Sequence, residues 1–280
     1  MARVLVTGMQ GFTGPYVARA LEAAGHDVIG TEAWPDFDLR KPETLTAALR
    51  SARPDHVVHL AGLSSVTHGD AAELYAVNAV GTGHLLQAIA DAAPNLRKVL
   101  IASSANVYGN VAGGEAIDEA TPPAPVNHYA CSKLAMEFIA RTWFDRLPIV
   151  ITRPFNYTGP GQSETFLIPK LVAHYALRRP LLELGNIDVE RDFSDVRMVA
   201  DAYARLLASD ATGTVVNICS GKGRSLRSVL ADLQAMTGHQ PEICVASNLV
   251  RRAEVHRLVG SSDRLRAIIG SLGFSDFADT

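Results

Sequence analysis

The 280-residue sequence predicts an α/β protein, a doubly wound parallel sheet with a smaller C-terminal α/β lobe. Three observations carry that expectation. A short apolar run, Val4-Leu5-Val6, breaks at once into glycines at 8, 11 and 14. Apolar runs of strand length alternate with helical stretches as far as Thr152, and from Pro154 onward Gly/Pro-rich loops and shorter elements take over.

Val4-Leu5-Val6 is too brief for a helix and rich in β-branched residues, which suits a buried parallel strand. A helix that starts inside the following turn directs its unpaired N–H groups and positive dipole end at whatever sits above the glycines, and a pyrophosphate fits there. Gly8 lets the chain turn, Gly11 lets backbone approach phosphate, and Gly14 lets helix and strand pack closely. Alone, G-x-x-G-x-x-G is also compatible with a turn and nothing more. Its context is a Rossmann-type unit: a helix from Pro15 to Ala24 stopped by Gly25, then a strand, Val28-Ile29-Gly30-Thr31. Glu32 ends that strand, where a carboxylate accepts both ribose hydroxyls of an adenosine. No Lys or Arg follows before Arg40, so the sequence favours NAD, with NADP possible.

Composition bounds the rest. At 48% hydrophobic and 20% charged, the chain can bury a full core as one large domain or two modest ones. A net charge of −3 and a pI near 6.3 give no basic field for nucleic acid. No apolar stretch approaches the roughly 20 residues of a membrane span, and no signal segment precedes the first strand. Cys131, Cys219 and Cys244 are odd in number and form no C-x-x-C pair, which suits a reducing cytosol without disulfides or zinc. These features predict a soluble, cytoplasmic protein with no metal and no nucleic-acid or membrane partner.

A short connection through Trp34-Pro35-Asp36-Phe37 leads to Asp38-Leu39-Arg40 and a helix from Pro42 to Ser51. His56 to Leu60 is a strand, followed by Ala61-Gly62-Leu63-Ser64-Ser65. A long helical region from Ala71 to Ala93 contains Asn78. Val99-Leu100-Ile101 is strand again, ending in Ser103-Ser104. A helix from Asn127 to Asp145 precedes the strand Ile149 to Thr152. Repeated βαβ units require right-handed crossovers and a parallel sheet, whose ligands collect at the carboxyl ends of the strands. In the second half, helices are expected at Phe166–Leu177, Val196–Ala208 and Leu226–Thr237. The expected organisation is a dinucleotide-binding domain over 1–154, rejoined by the segment near 192–219, and a substrate lobe over 155–280.

The chemistry rests on Tyr129 and Lys133, which share one helix face at i, i+4. An ammonium beside a phenol favours the phenolate and is expected to lower the tyrosine towards neutrality. A tyrosine so poised exchanges a proton with the oxygen of a carbinol–carbonyl pair while hydride moves at the carbon, and Ser104 can hold the same oxygen. By itself Y-x-x-x-K is equally an exposed helical pair.

Thr7-Gly8-x-x-Gly11-Phe12-x-Gly14, Leu60-Ala61-Gly62, Ser103-Ser104-Ala105-Asn106-Val107-Tyr108-Gly109 and Tyr129-x-x-x-Lys133 together resemble the extended short-chain dehydrogenase/reductases that act on nucleotide sugars. The resemblance implies a catalytic triad of Ser104, Tyr129 and Lys133, with Lys133 also gripping the nicotinamide ribose. It implies that Asp38 and Leu39 contact the adenine. It implies that Phe12, Thr13, Leu60, Ala61, Gly62, Ser64 and Pro154 line the cofactor, and that Ser65 and Ser104 meet substrate.

Within that family, 4,6-dehydratases carry a carboxylate one or two residues after the position matching Ser104; here stand Ala105 and Asn106, neither of which is a base. Glu115, Asp118 and Glu119 are expected as solvated turn residues. The stretches Thr152 to Asn156, Gly159 to Ser163, Gly185-Asn186, Arg191 to Arg197 and Arg251 to Glu254 are most similar to the GDP-6-deoxy-D-mannose reductases. That likeness implies reduction of the C4 keto group of a GDP-4-keto-6-deoxyhexose by NADPH or NADH. It makes Asn156, Arg191, Arg251 and Glu254 candidates for holding the nucleotide diphosphate and ribose, a role that suits the planar fork of arginine. After Phe274-Ser275-Asp276-Phe277 the family's terminal turn and helix are expected to be lost or replaced. The spacing before Ser104 keeps a nucleotide-sugar 4-epimerase open, and a non-catalytic dinucleotide sensor is a third reading. Related enzymes often dimerise through the two long helices, so a homodimer is expected.

Overall fold

The structure, a computed structural model, describes residues 1–64, 70–111, 114–246, 249, 255–273 and 277–280. The chain opens with β1 (Arg3–Thr7), α1 (Gly14–Ala23), β2 (Asp27–Gly30), α2 (Pro42–Ala52) and β3 (His56–His59). Next come α3 (Ala71–Leu74), a π-helical segment (Tyr75–Val80), α4 (Gly81–Ala92), β4 (Lys98–Ala102), α5 (His128–Arg141) and β5 (Ile149–Pro154). The second half contains β6 (Asn156–Thr158), α6 (Leu167–Ala176), β7 (Leu181–Leu184), β8 (Glu190–Asp195), α7 (Val196–Ala208) and β9 (Thr214–Ile218). It closes with β10 (Gly223–Ser225), α8 (Leu226–Thr237), β11 (Glu242–Val245), β12 (Arg257–Leu258) and α9 (Asp263–Ile269).

The main sheet has the order β2-β1-β3-β4-β5-β9, with every neighbouring pair parallel. The chain runs outward from β1 to β2 and then crosses back to begin the other half at β3, so β1 borders the switch point where such sheets bind ligands. Successive strand side chains point to opposite faces. Val4 and Val6 therefore enter a core with Val17 and Leu21 of α1 and the apolar face of α7, while Leu5 enters a second core with α2 and α4. Helices cover both faces, which is why these strands are apolar throughout.

Two elements depart from the expected pattern. The helical run through residues 71–92 is interrupted by the π-helical segment, whose wider turn turns Asn78 inward to 1% exposure. The helix expected to continue to Asp145 stops at Arg141, where the N–H groups of Thr142, Trp143 and Phe144 donate three residues back, to the carbonyls of Ile139, Ala140 and Arg141, and the chain tightens into turns.

In the small lobe, β8 is the hub. It pairs with β6 and β12 in parallel and with β10 antiparallel, while β7 and β11 form a separate parallel pair. Leu171 and Tyr175 of α6 pack against Val229 and Leu230 of α8. Between these elements the chain returns to the main sheet: α7 lies on one face beside α1, and β9 hydrogen-bonds along β5.

Candidate active site

The polar candidates converge because every strand of the sheet ends on the same edge. Gly8 follows β1, Glu32 follows β2, Ala61 and Gly62 follow β3, Ser103 and Ser104 follow β4, and Pro154 closes β5. Gly8 has φ +71°, and a Cβ there would stand 2.7 Å from the Ala61 nitrogen, so glycine is required both for the turn and for the approach to the end of β3. A Cβ on Gly11 would meet only the Gly8 carbonyl, at 3.3 Å. The turn thus presents bare backbone outward at the N-terminus of α1, where Pro15 needs no N–H and the first turn carries no acidic residue. That suits a pyrophosphate. A Cβ on Gly14 would overlap the Met9 backbone, so this glycine makes room for the turn itself and not, as expected, for packing of helix on strand.

On the adenosine side, Glu32 is exposed in a short 3₁₀ turn with its carboxylate folded over Gly30. Asp38 accepts from Arg40 at 2.9 and 2.8 Å, which holds its carboxyl down at about 2. The Leu39 side chain is buried in the core while its carbonyl accepts from His84 Nδ1 at 3.0 Å, leaving only backbone to face a ligand. Leu60 packs beneath the sheet edge and Ser64 is exposed.

Tyr129 and Lys133 lie on one face of α5, whose N-cap Asn127 accepts from the Ala130 N–H at 2.8 Å. Both are buried, at 7% and 5% exposure. The Tyr129 phenol lies near enough to the Ser104 hydroxyl for Ser104 to favour its ionised form, and that hydroxyl accepts from Asn106 N at 3.2 Å and Asn106 Nδ2 at 3.1 Å. Lys133 Nζ donates to the Ala102 carbonyl at 2.9 Å and stands 3.2 Å from where a Cβ on Gly62 would be.

The electrostatics correct one expectation. Burial pushes the Tyr129 phenol up to about 12, opposed by its bond to Ser104, and Lys133 is not among the groups that act on it. The same burial pulls Lys133 down to about 8, with Glu137 acting the other way. Loss of water penalises both charged forms, and here that outweighs the attraction an i, i+4 pair offers in solvent.

Other candidates scatter more widely. Asn156 lies on β6 with its Oδ1 buried and without a hydrogen-bond partner among the described residues. Arg191, on β8, donates to the carbonyls of Glu190 and His256 at 2.9 and 3.2 Å. Ser65, Arg251 and Glu254 lie outside the described residues. Glu119 is not the solvated residue expected: its side chain is 4% exposed, accepts from Asn217 N at 2.7 Å and pairs with Arg264. Asp118 is exposed and caps its own turn, accepting from Ala120 N and Thr121 N.

Two residues without an expected role complete the site. Asn78 donates to the Leu63 carbonyl and Ser132 Oγ, both at 3.0 Å, and accepts from Leu63 N at 2.8 Å, tying the loop after β3 to α5. His59 joins Thr7 Oγ1 at 2.7 Å to Thr82 Oγ1 at 2.9 Å. Thr82 donates to the Asn78 carbonyl, so it accepts from His59 Nε2–H, and Nδ1 in turn accepts the Thr7 hydroxyl. The ring is neutral, with burial pulling it down to about 3. An amide inside an apolar helical run was the only sequence signal for Asn78; His59 gave none beyond a polar residue ending a strand.

Residues 4–219 match the NAD dependent epimerase/dehydratase family. A GDP-6-deoxy-D-talose 4-dehydrogenase from Aggregatibacter actinomycetemcomitans is 34% identical over 96% of this chain and 92% of its own. A GDP-6-deoxy-D-mannose reductase from Pseudomonas aeruginosa is 38% identical over 96% and 91%. The structure of RMD from Pseudomonas aeruginosa complexed with NADPH superposes with a TM-score of 0.86 at 36% identity, covering 96% of this chain and 91% of that one. With the motif set, the parallel sheet and the Ser104–Tyr129–Lys133 cluster in place, this chain belongs to the NAD dependent epimerase/dehydratase family, the extended branch of the short-chain dehydrogenase/reductases.

Proposed function

We propose that the protein is an NAD(P)-dependent nucleotide-sugar oxidoreductase that reduces the C4 keto group of a GDP-4-keto-6-deoxyhexose. The observation that carries this reading is the burial of Ser104, Tyr129 and Lys133 together beside the sheet edge that bears the glycine turn. The names of the two relatives supply the sugar. A reduced nicotinamide supplies hydride to the carbonyl carbon. Tyr129, held protonated at neutral pH by burial, donates its proton to the keto oxygen, and Ser104 fixes that oxygen by a hydrogen bond. Lys133, whose Nζ lies beside Gly62, would hold the nicotinamide ribose. The glycine turn takes the pyrophosphate, Glu32 the adenosine ribose hydroxyls, and Phe12, Thr13, Leu60, Ala61 and Pro154 line the path between them. The Glu32 carboxylate favours NADH over NADPH by repelling a 2′-phosphate. Asn156 and Arg191 hold the nucleotide diphosphate, together with Arg251 and Glu254.

Incubation with GDP-4-keto-6-deoxy-D-mannose and NADH or NADPH tests the reading. Loss of nicotinamide absorbance in proportion to ketosugar supports it. No loss overturns it, and sugar interconversion without net cofactor consumption replaces it with the 4-epimerase.

The 154 N-terminal residues with the returning segment near 192–219 form the dinucleotide unit in this proposal, and 155–280 form the substrate lobe. A homodimer is part of it. Val80, at the end of the π-helical segment, and Phe138, on α5, are 50% and 58% exposed, apolar side chains that pairing with a second copy would cover. Three unpaired cysteines suit the cytoplasm, and among the described residues no helix is long and apolar enough to cross a membrane.

A further inference from the structure

One helical turn beyond Lys133, on the same face of α5, the side chain of Glu137 is fully buried. Its Oε1 accepts from Ser103 Oγ at 2.6 Å and from Arg153 Nε at 2.8 Å, and its Oε2 accepts from Arg153 Nη2 at 2.6 Å. Arg153 is 1% exposed and lies over the Tyr108 ring at 4.7 Å, while Tyr108 donates to Asn217 Oδ1 at 2.7 Å. One carboxylate therefore connects three elements. They are α5, which carries Tyr129 and Lys133; the end of β4, where Ser103 adjoins Ser104; and the end of β5, where Arg153 adjoins Pro154.

A buried ion pair gives no net stability that well-packed apolar residues could not match, so stability is a weak reason for this one. Its placement is a better one. We infer that Glu137 is a positioning residue of the reaction, a strut that ties α5, with Tyr129 and Lys133, to the ends of β4 and β5 beside Ser104. The inference rests on the oxidoreductase reading for its kinetic consequence alone.

The groups around Lys133 give the charge argument its sign. From α5 come Tyr129 and Glu137, from β4 the Ala102 carbonyl, from β3 the neutral His59, and from the loop after β3 Gly62, beside which lies the Asn78 amide. Glu137 is the one anion in that set. In Glu137→Gln the ammonium loses that anion, so Lys133 deprotonates at lower pH.

The full-length protein carrying Glu137→Gln is compared with the unaltered chain. NADH binding is followed by nicotinamide fluorescence between about pH 6 and 10, the range around the usual and shifted lysine values. The midpoint of its alkaline loss is expected to fall by about one pH unit, and kcat by about tenfold or more at neutral pH, with NADH affinity there kept within about twofold. A pair variant, Glu137→Leu with Arg153→Met, removes both charges. It is expected to restore the melting temperature while kcat stays low, because Ser103 has lost its tether. An unmoved binding midpoint with unchanged kcat overturns the inference, as does recovery of kcat together with melting temperature in the pair variant. If the unaltered protein binds NADH but does not reduce the ketosugar, the substrate reading fails by itself, and the binding midpoint still decides the role of Glu137.

Discussion

The hydroxyl of Thr13, in the turn that opens α1, lies 2.8 Å from the hydroxyl of Tyr157 on β6. Phe12 stacks on the Tyr157 ring with 6.1 Å between centroids and 12° between planes, and Tyr16 donates to the Pro160 carbonyl at 2.6 Å. The glycine turn is thereby fastened to the strand that carries Asn156. On the proposed assignment of the two sites, these contacts should couple them, so cofactor and sugar nucleotide should bind with positive coupling. Tyr157→Phe keeps the stack and loses one hydrogen bond, a difference of about 0.5–1.5 kcal/mol, or roughly two- to tenfold in cofactor affinity. Tyr157→Ala should cost more, since the ring goes too. Calorimetric titration with NADH checks this, and equal affinity for all three proteins would show that the turn is rigid without its partner.

The two outer-facing and inner-facing glycines of the same turn predict opposite outcomes. A methyl at Gly11 meets nothing but the Gly8 carbonyl at 3.3 Å, so Gly11→Ala should melt close to the unaltered protein yet bind NADH weakly, its Cβ projecting from the turn proposed to take the pyrophosphate. A methyl at Gly14 overlaps the Met9 backbone, and relieving it moves the turn at a cost of about 1–3 kcal/mol. Gly14→Ala should therefore lose melting temperature without any ligand present. Thermal melts of the two variants, followed by NADH titration, separate these effects.

Tyr129→Phe removes the proposed proton donor and leaves the ring in place. Turnover should fall by about 10²–10⁴, the usual contribution of a general acid, with cofactor affinity unchanged. Stability should hold, because Ser104 keeps its two donors from Asn106. A steady-state assay with a melting curve is sufficient, and undiminished turnover would move the chemistry to another group.

Much of this was open to reading in the chain itself, for identifiable reasons. Glycine spacing after a short apolar strand specifies a turn, and i, i+4 spacing puts Tyr129 and Lys133 on one face whatever surrounds them. The expected bounds of α7 and α8 match the structure, in which the caps Asp195 and Ser225 accept from Arg197 N and Ser228 N. What failed depended on depth. Spacing says how near Lys133 stands to Tyr129 but not how little water reaches either, and desolvation set both values. A π turn differs from an α turn by one residue, which apolar periodicity over six residues does not register, so Asn78 was seen without its role. Glu119 belongs to a loop by composition and is buried only because Asn217 N and Arg264, far along the chain, fold onto it.

His59 makes the fold sensitive to acid. Its ring accepts a proton only near pH 3 in the folded protein, because burial resists the charge, whereas the unfolded chain takes one up near the ordinary 6.5. Between those values the unfolded state binds more protons, so stability present above 6.5 is lost as pH falls towards 3, by about 1.4 kcal/mol for each pH unit. His56, pulled down to about 4 mainly by burial, adds in the same direction. His59→Gln supplies a donor and an acceptor for Thr82 and Thr7 without a titrating group. That variant should melt below the unaltered protein at pH 7, with a deficit that narrows steadily down to pH 4. The narrowing isolates His59, since the contribution of His56 is common to both proteins and cancels in the difference. A constant gap across that range in differential scanning calorimetry would mean that the imidazole between Thr7 and Thr82 accepts its proton without unfolding the chain.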